Sequence, residues 1–466
     1  HYLGYDSDGV SRLGFFCIEK GETKMAWLRI LLIALVLTLP LGRCSAQAAS
    51  VNRTDLYLLS ALVSMASYSE ELNLVARDWL EGAGWKFESH ETVSAAAEGR
   101  FHLVYRTMPS GERMYILAFP GTERLKDAEV DLRLSRVPFG GANPAEFQQF
   151  ADQKVTQPGT PMVHRGFNDY TRVALFQAPL KEFQGRTAGE VIAQELKQHP
   201  AETLYLTGHS LGGAAATLAA ARFSDMGVLP QQLQVVTFGA PAVGDGAFAK
   251  RYAPRMNLSR VVISGDPVKS VLQSLSGRFA QFGDKVKWSE NRNSERFAHE
   301  MVVYLDQALR NRYSDKKNGP STDMDLLAGN AQAVSGGIYV APVQIKLDSH
   351  IQSDESYMRA SLKDALSADY STIEFAPISA SADISSLCQQ AAAKNMKYVL
   401  MERFQGTRIK NEPYNFRLRM DEELYDVKGN LLTMQSTSTT AKNLTPIEGM
   451  LYLQYAGREQ REKFIH

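Results

Sequence analysis

The stretch LYLTGHSLGGAAATLAA (204–220) places one serine between a short apolar segment and a run of small residues. An apolar segment that ends in glycine is typical of a strand, and the alanines that follow favour a helix packed closely on a sheet. Ser210 therefore lies in the Gly-x-Ser-x-Gly pattern of a nucleophile elbow, in which glycines avoid clashes at the turn. We predict that Ser210 is a nucleophile; the alternative is a bystander serine in a glycine-rich turn.

A serine hydroxyl needs a base to take its proton. In hydrolases with this elbow the order along the chain is serine, acid, histidine. Three histidines follow Ser210, namely His299, His350 and His466. His299 precedes the apolar segment MVVYL, whereas His350 lies in a second predicted domain and His466 is the last residue. We predict that His299 is the base; the alternative is a structural histidine.

The acid that orients this base has four candidates, which are Asp225, Asp245, Asp266 and Asp284. Asp266 directly follows the apolar segment RVVISG, at the carboxyl edge of a predicted sheet, where such folds place their sites. We predict Asp266, with a turn-forming Asp-Pro as the alternative. Asp245 also follows a strand and ranks second, Asp284 ranks third, and Asp225 is expected to end the helix after Ser210.

An oxyanion that develops during acyl transfer needs two hydrogen-bond donors. The backbone N–H of Leu211, at the start of the helix, is one predicted donor. The other is expected from FPGTE (119–123), where Gly121 permits close approach and Thr122 offers an N–H and a hydroxyl. Taken alone, Pro-Gly-Thr would be an ordinary turn.

Apolar helical stretches alternate with short β-branched segments from residue 55 to about 309. This order predicts an α/β domain over 49–310 whose mostly parallel sheet is buried on both faces. Polar residues over 311–335 predict a linker, and 336–466 predict a second, small α/β domain with no evident chemical constellation. The strands predicted in the two domains are 114–121, 204–208, 234–241, 260–267, 338–347, 397–404 and a hairpin over 416–437.

The amino terminus has the pattern of a secretory signal peptide over 25–48, with a basic start, the apolar segment ILLIALVLTLP and Ala46-Gln47-Ala48. The apolar segment is shorter than the roughly 20 residues of a membrane-spanning helix. Residues 1–24 are then an upstream extension, and we expect an exported protein, periplasmic or secreted. Cleavage near Ala48 would leave Cys388 as the remaining cysteine, which we expect to be buried.

The charge balance argues against polyanion partners, because 51 Lys and Arg residues match 51 Asp and Glu residues. We therefore expect no nucleic-acid partner. A serine, histidine and aspartate can cleave an ester through an acyl-enzyme with no metal or cofactor.

Seven blocks together resemble the class 3 lipase family, the fungal-lipase-like branch of the α/β-hydrolases. In chain order they are SMASYS, AFPGTE, VHRGFNDY, LTGHSLGGAAATLAA, VTFGAPAVGD, RVVISGDPV and HEMVVYL. The resemblance implies an α/β-hydrolase fold, a triad of Ser210, Asp266 and His299, and an oxyanion hole of Thr122 and Leu211. It also implies that His164 and His209 support the site, and that a lid lies within 123–144, which would make transient contact with a lipid interface.

These patterns favour a secreted serine hydrolase that cleaves carboxylic esters of lipids, as a triacylglycerol lipase or esterase does. One alternative is a phospholipase or an esterase of soluble esters. Another is a catalytically inactive envelope protein that acts as a scaffold through its C-terminal domain, for which we expect a protein partner.

Overall fold

The computed structural model describes most of the chain after residue 50. The described residues are 51–68, 71–108, 111, 113–121, 135–154, 156–267, 278–289, 298–316, 326–327, 337–380, 383–412, 414–442 and 444–465. The predicted signal peptide, Thr122 and most of the predicted lid segment lie outside these residues. Among the described helices, none has the length and apolar character needed to cross a membrane.

The first part of the chain alternates helices and strands, as its pattern predicts. In chain order its elements are α1 (Arg53–Ala66), α2 (Glu71–Gly82), β1 (Lys86–Val93), β2 (Glu98–Thr107), β3 (Arg113–Phe119), β4 (Arg136–Pro138), α3 (Pro144–Ala151), β5 (Met162–His164), α4 (Arg165–Phe176), β6 (Pro179–Leu180), β7 (Arg186–Thr187), α5 (Ala188–Gln198), β8 (Leu204–His209), α6 (Leu211–Asp225), β9 (Leu233–Phe238), α7 (Gly246–Tyr252), β10 (Asn257–Ile263), β11 (Asp284–Trp288) and α8 (Met301–Lys316).

The main sheet has the strand order β1-β2-β3-β8-β9-β10-β11. Its last five strands run parallel, whereas β1, β2 and β3 are joined in antiparallel pairs at one edge. The mostly parallel sheet of an α/β-hydrolase core is therefore confirmed. Parallel strands end at the same edge, so the loops after β3, β8, β9 and β10 meet there.

The two faces of this sheet are covered by different helices. On β3, Ile116 and Ala118 join a core with α1, α2 and α8, whereas Leu117 and Phe119 join a second core with α4 and α6. Successive side chains of a strand point to opposite faces, which is why both sets are apolar. The alanines after Ser210 are fully buried, which lets α6 pack tightly on the sheet.

The C-terminal part contains a second sheet flanked by helices. Its elements are β12 (Ile338–Val340), β13 (Gln344–Leu347), α9 (Glu355–Asp369), β14 (Ile373–Phe375), α10 (Ile384–Ala393), β15 (Tyr398–Arg408), β16 (Phe416–Asp426), β17 (Leu431–Thr440) and α11 (Pro446–Glu462). The strand order is β14-β12-β15-β16-β17, and β13 pairs with β15 beside β12. This α/β arrangement was expected from the sequence, and Cys388 in α10 is buried.

Two details of this part differ from the predictions. The single strand predicted over 338–347 is two strands, because Pro342 cannot donate a ladder hydrogen bond. The register with β15 shifts by one residue between the pairs Ile338–Tyr398 and Gln344–Arg403. Helix α11 has no counterpart in the sequence prediction, since buried polar residues interrupt its apolar pattern.

Helix α8 joins the two parts of the chain. Arg310 binds Asp306 on its own helix and Asp354 at the start of α9, each at 2.7 Å. Arg312, which is 1% exposed, binds Asp55 of α1 at 2.5 Å and also Asp364 of α9. Residues 49–466 form one compact unit. The predicted end of the first domain at 310 lies within α8, whereas residue 336 lies outside the described residues, and the two-domain division stays a prediction.

A buried acidic cluster lies between α11 and the second sheet. Arg461 donates to Glu422 and lies beside the hydroxyl of Tyr370. Burial, followed by repulsion from Glu422, raises the pKa of Glu402 from its ordinary value to about 8. Glu402 is therefore protonated in the folded protein at neutral pH, whereas in the unfolded chain it is ionised.

This difference predicts a specific pH dependence of stability. Between pH 4.5 and about 8 the folded state holds a proton at Glu402 that the unfolded state has lost, so the free energy of unfolding falls as pH rises, by up to about 1.4 kcal/mol per unit. Glu402→Gln removes this titration. The free energy of unfolding of the variant, relative to that of the wild type, should therefore rise between pH 5 and pH 8. Urea unfolding at several pH values measures the difference.

The matched control is Glu459→Gln, whose side chain on the same helix as Arg461 is 89% exposed. Its stability difference from the wild type should stay within about 0.5 kcal/mol at every pH. A pH-independent effect of Glu402→Gln would contradict the proposed buried proton.

Candidate active site

The predicted elbow is present between β8 and α6. Ser210 is 2% exposed and has φ 56° and ψ −121°, a conformation that a non-glycine residue adopts only under strain. Its backbone N–H donates to the carbonyl of Phe238 at 2.9 Å. A Cβ atom on Gly212 would lie 2.0 Å from the carbonyl oxygen of Phe119, so only glycine permits this approach of α6 to β3. The sharp turn is therefore built by close backbone contact with both neighbouring strands.

The structure brings together two of the predicted catalytic residues. His299 Nδ1 lies 3.0 Å and 2.9 Å from the two carboxylate oxygens of Asp266. Both residues are 1% exposed. Because a carboxylate only accepts, His299 Nδ1 is the donor, which leaves Nε2 as the basic nitrogen of the neutral ring.

Tyr304 completes the surroundings of this carboxylate. Its hydroxyl donates to Asp266 Oδ2 at 2.5 Å and accepts from the backbone N–H of Ile263 at 3.3 Å. Burial and the charge of Asp266 raise the pKa of Tyr304 well above its ordinary value, so the phenol remains a donor. Two donors thus hold the acid in one orientation.

The other aspartates have different roles. Asp245 caps α7 by accepting from Phe248 N–H at 2.9 Å, and it also accepts from Met162 N–H at 3.2 Å. Asp225 ends α6 and accepts from the hydroxyl of Tyr252 at 2.6 Å. Asp284 is exposed at the start of β11. Among the four candidates, Asp266 is the one that contacts His299 in the described structure.

His209 connects three loops of the site. Its Nε2 lies 2.6 Å from the carbonyl oxygen of His299, and its Nδ1 lies 2.6 Å from the hydroxyl of Tyr68. The carbonyl only accepts, so Nε2 carries the proton and Tyr68 donates to Nδ1. Burial, with His299 nearby, lowers the pKa of His209 to about 3, so the ring stays neutral and keeps this tautomer.

The predicted oxyanion hole is described in part. Leu211 is the first residue of α6, and the first N–H groups of a helix have no acceptor within the helix. Thr122 lies outside the described residues, whereas the preceding Gly121 is buried against Tyr68. His164 caps α4 by accepting from Phe167 N–H at 3.3 Å.

Sequence reasoning missed Tyr68 and Tyr304. Tyr68 follows α1 in the block SMASYS, and Tyr304 lies in MVVYL after His299. Both are buried aromatic residues, and no sequence pattern tells a core tyrosine from one whose hydroxyl reaches a catalytic group.

Metal-ligating side chains also occur at the opposite end of β8. Glu195, His199 and Glu202 have ligand atoms within 4.8 Å of one another. These half-buried residues lie before β8, whereas Ser210 follows it. Among the described residues this is the one group of three or more His, Cys, Asp or Glu side chains that could hold a metal ion.

Known proteins match this part of the chain. Residues 116–274 match the model of the family described as lipase (class 3). Phospholipase A1-II 3 of Oryza sativa subsp. indica is 29% identical over 213 residues, which are 41% of this chain and 46% of that protein. A Caenorhabditis elegans lipase is 45% identical over 78 residues, 16% of this chain and 22% of that protein. The chain thus spans less than half the length of these curated relatives.

Solved structures of fungal lipases are also similar to this chain, at lower sequence identity. A lipase from Rhizopus microsporus var. chinensis has a TM-score of 0.39 and 19% identity, and the match covers 58% of this chain and 93% of that chain. The fold is defined by the strand order of the main sheet. The family match confirms the predicted resemblance to class 3 lipases over residues 116–274.

Gly239 offers a test of the packing around the acid–base pair. Its φ is 58°, and a Cβ there would lie 2.7 Å from Asp266 Oδ2 and 3.0 Å from His299 Nδ1. We expect Gly239→Ala to lower the free energy of unfolding by at least about 1 kcal/mol, measured in urea. The control Gly246→Ala has open space around the new methyl group and should change it by less than about 0.5 kcal/mol. Equal effects of the two substitutions would contradict this geometry.

Proposed function

We propose that this protein is a serine hydrolase that cleaves carboxylic esters of lipids through an acyl-enzyme. The observation that carries the proposal is the buried Asp266–His299 pair, which His209 connects to the strained turn at Ser210. A strained turn presents a serine to a substrate, and a base held in one tautomer can take its proton. The comparisons support a lipid ester as the substrate class, because the matched family and the two relatives described above are named as lipases or as a phospholipase.

In the proposed reaction Ser210 attacks the ester carbonyl while His299 Nε2 takes the hydroxyl proton. Asp266 accepts from His299 Nδ1–H and stabilises the imidazolium that forms, without itself becoming protonated. The Leu211 N–H, with Thr122 as its proposed partner, would bind the oxyanion. His299 then returns the proton to the leaving alcohol, and water cleaves the acyl-enzyme by the same steps.

The second candidate is phospholipase activity, which cleaves an acyl ester of a glycerophospholipid. It is favoured by the similarity to the rice protein named phospholipase A1-II 3. The chemistry at Ser210 is the same in both cases, and the difference lies in the head group that is accepted. We also propose export through residues 25–48 and transient contact of the 123–144 segment with a lipid surface.

The first test concerns the nucleophile and the base. Ser210→Ala and His299→Ala should each lower hydrolysis of a p-nitrophenyl ester by roughly 10⁴-fold or more, and the double variant by little more, because the residues act as a unit. A fluorophosphonate probe should label the wild type at Ser210 and leave Ser210→Ala unlabelled. Circular dichroism controls for folding.

Substantial activity in folded Ser210→Ala would refute the assignment. A folded wild type that neither hydrolyses esters nor reacts with the probe would support the inactive scaffold instead.

The second test compares the acid with its rivals. Asp266→Asn should lower ester hydrolysis by about 10³–10⁴-fold, because an amide cannot fix the same tautomer of His299. Asp245→Asn should have little effect, since asparagine caps a helix about as well as aspartate. Asp284→Asn changes an exposed residue and should be neutral. If Asp245→Asn proved the most damaging, Asp245 rather than Asp266 would be the acid.

A further inference from the structure

The second sheet ends in an edge strand that lacks the usual protection. Strand β17 is LLTMQSTSTT, which contains no charged residue and no proline. Long regular edge strands commonly carry charges, proline or bulges, because their outer N–H and C=O groups can pair with another chain. In β17 the irregularity in register lies at the first residues, and the pairing from Met434 to Thr440 is regular.

The other edge strands of the two large sheets differ from β17 in this respect. Each of them carries charged side chains: Lys86, Glu88 and Glu91 on β1, Asp284, Lys285 and Lys287 on β11, Lys346 on β13, and Glu374 on β14. Strand β14 is also only three residues long. The absence of charge is therefore particular to β17 among these described edges.

One face of β17 is already occupied by helix α11. Gln435 donates to the carbonyl of Gly457 at 2.7 Å, and Gln460 donates to the hydroxyl of Thr433 at 3.4 Å. The opposite face carries Met434, which is 67% exposed, and the exposed Ser436 and Ser438. Packing on α11 fixes the strand in an extended form, so pairing along its edge costs little further ordering.

The charges next to β17 indicate what could pair with it. On the neighbouring strand β16, Arg417 lies beside Thr440 and Arg419 beside Ser438, whereas Asp421 lies beside Ser436 and Glu423 beside Met434. Strand β17 is thus uncharged, but the part of β16 beside its C-terminal half is basic and the part beside its N-terminal half is acidic. When two such strands pair antiparallel with Thr437 opposite Thr437 of the second copy, the basic end of each copy is aligned with the acidic end of the other, and no like charges are aligned.

We propose that β17 pairs with β17 of a second copy of this chain, antiparallel and about a two-fold axis near Thr437, to form one continuous sheet. A two-fold axis brings identical surfaces together and closes the assembly at two copies. A ten-residue strand pair makes a small interface, so we expect reversible association with a dissociation constant of about 1–100 μM.

Sedimentation velocity of the full chain, over concentrations that bracket this range, tests the proposal. The wild type should shift from monomer to dimer. Ser436→Lys with Ser438→Lys brings lysines together at the axis, and it should weaken the dimer by at least about tenfold. The control pair Gln405→Lys and Thr407→Lys adds the same charge to exposed positions of the interior strand β15, and it should leave the dimer unchanged.

A charge exchange locates the contact directly. Ser436→Glu with Ser438→Glu should also be monomeric alone, and mixing it with the lysine variant should restore a dimer. In the wild type, amide hydrogen exchange over 431–440 should slow as concentration rises. All variants should retain the wild-type hydrolysis of a soluble ester, because these positions lie outside the candidate active site.

Three results would overturn the proposal. They are a wild type that stays monomeric throughout, a dimer that the lysine variant leaves intact, or lysine and glutamate variants that remain monomeric when mixed. Protection of 431–440 at every concentration would show that another part of the same chain covers this edge.

Discussion

The hydrogen bond between Asp266 and His299 is the interaction on which the candidate site depends. A carboxylate with 1% exposure is tolerated in an apolar core only when donors satisfy it, and here His299 Nδ1 and the Tyr304 hydroxyl do so. The surrounding positions follow from this requirement. Gly239 has no side chain because a Cβ atom would collide with both members of the pair.

A second layer of contacts holds the loops around that pair. His209 precedes Ser210 and donates to the carbonyl of His299, so the turn that carries Ser210 is tied to the loop that carries His299. Tyr68 fixes the tautomer of His209 and lies against Gly121, next to the predicted oxyanion residue. Because His209 stays neutral, these links persist over the ordinary range of pH without adding a positive charge beside His299.

The sequence predicts the parts of this site that local chemistry specifies. The elbow around Ser210 could be predicted from its glycines. Asp266 could be predicted as the acid because it comes directly after an apolar strand. Tyr68 and Tyr304 could not be predicted, because their roles depend on where a hydroxyl points after distant segments pack. Helix α11 was missed for a related reason: Glu448, Gln454 and Arg461 are buried and weaken the apolar periodicity that marks a helix.

Helix α8 bears on how short a fragment could still hold the candidate site together. It begins just after His299, and its later turns are held by carboxylates of the C-terminal part through Arg310 and Arg312. A fragment that stops before residue 336 would retain Ser210 and both of its predicted partners. It would also lack Asp354 and Asp364, the carboxylates that bind the two arginines. Both positive charges would then lie on a surface that is buried in the full chain. The C-terminal part therefore helps to stabilise the part of the chain that carries the candidate site.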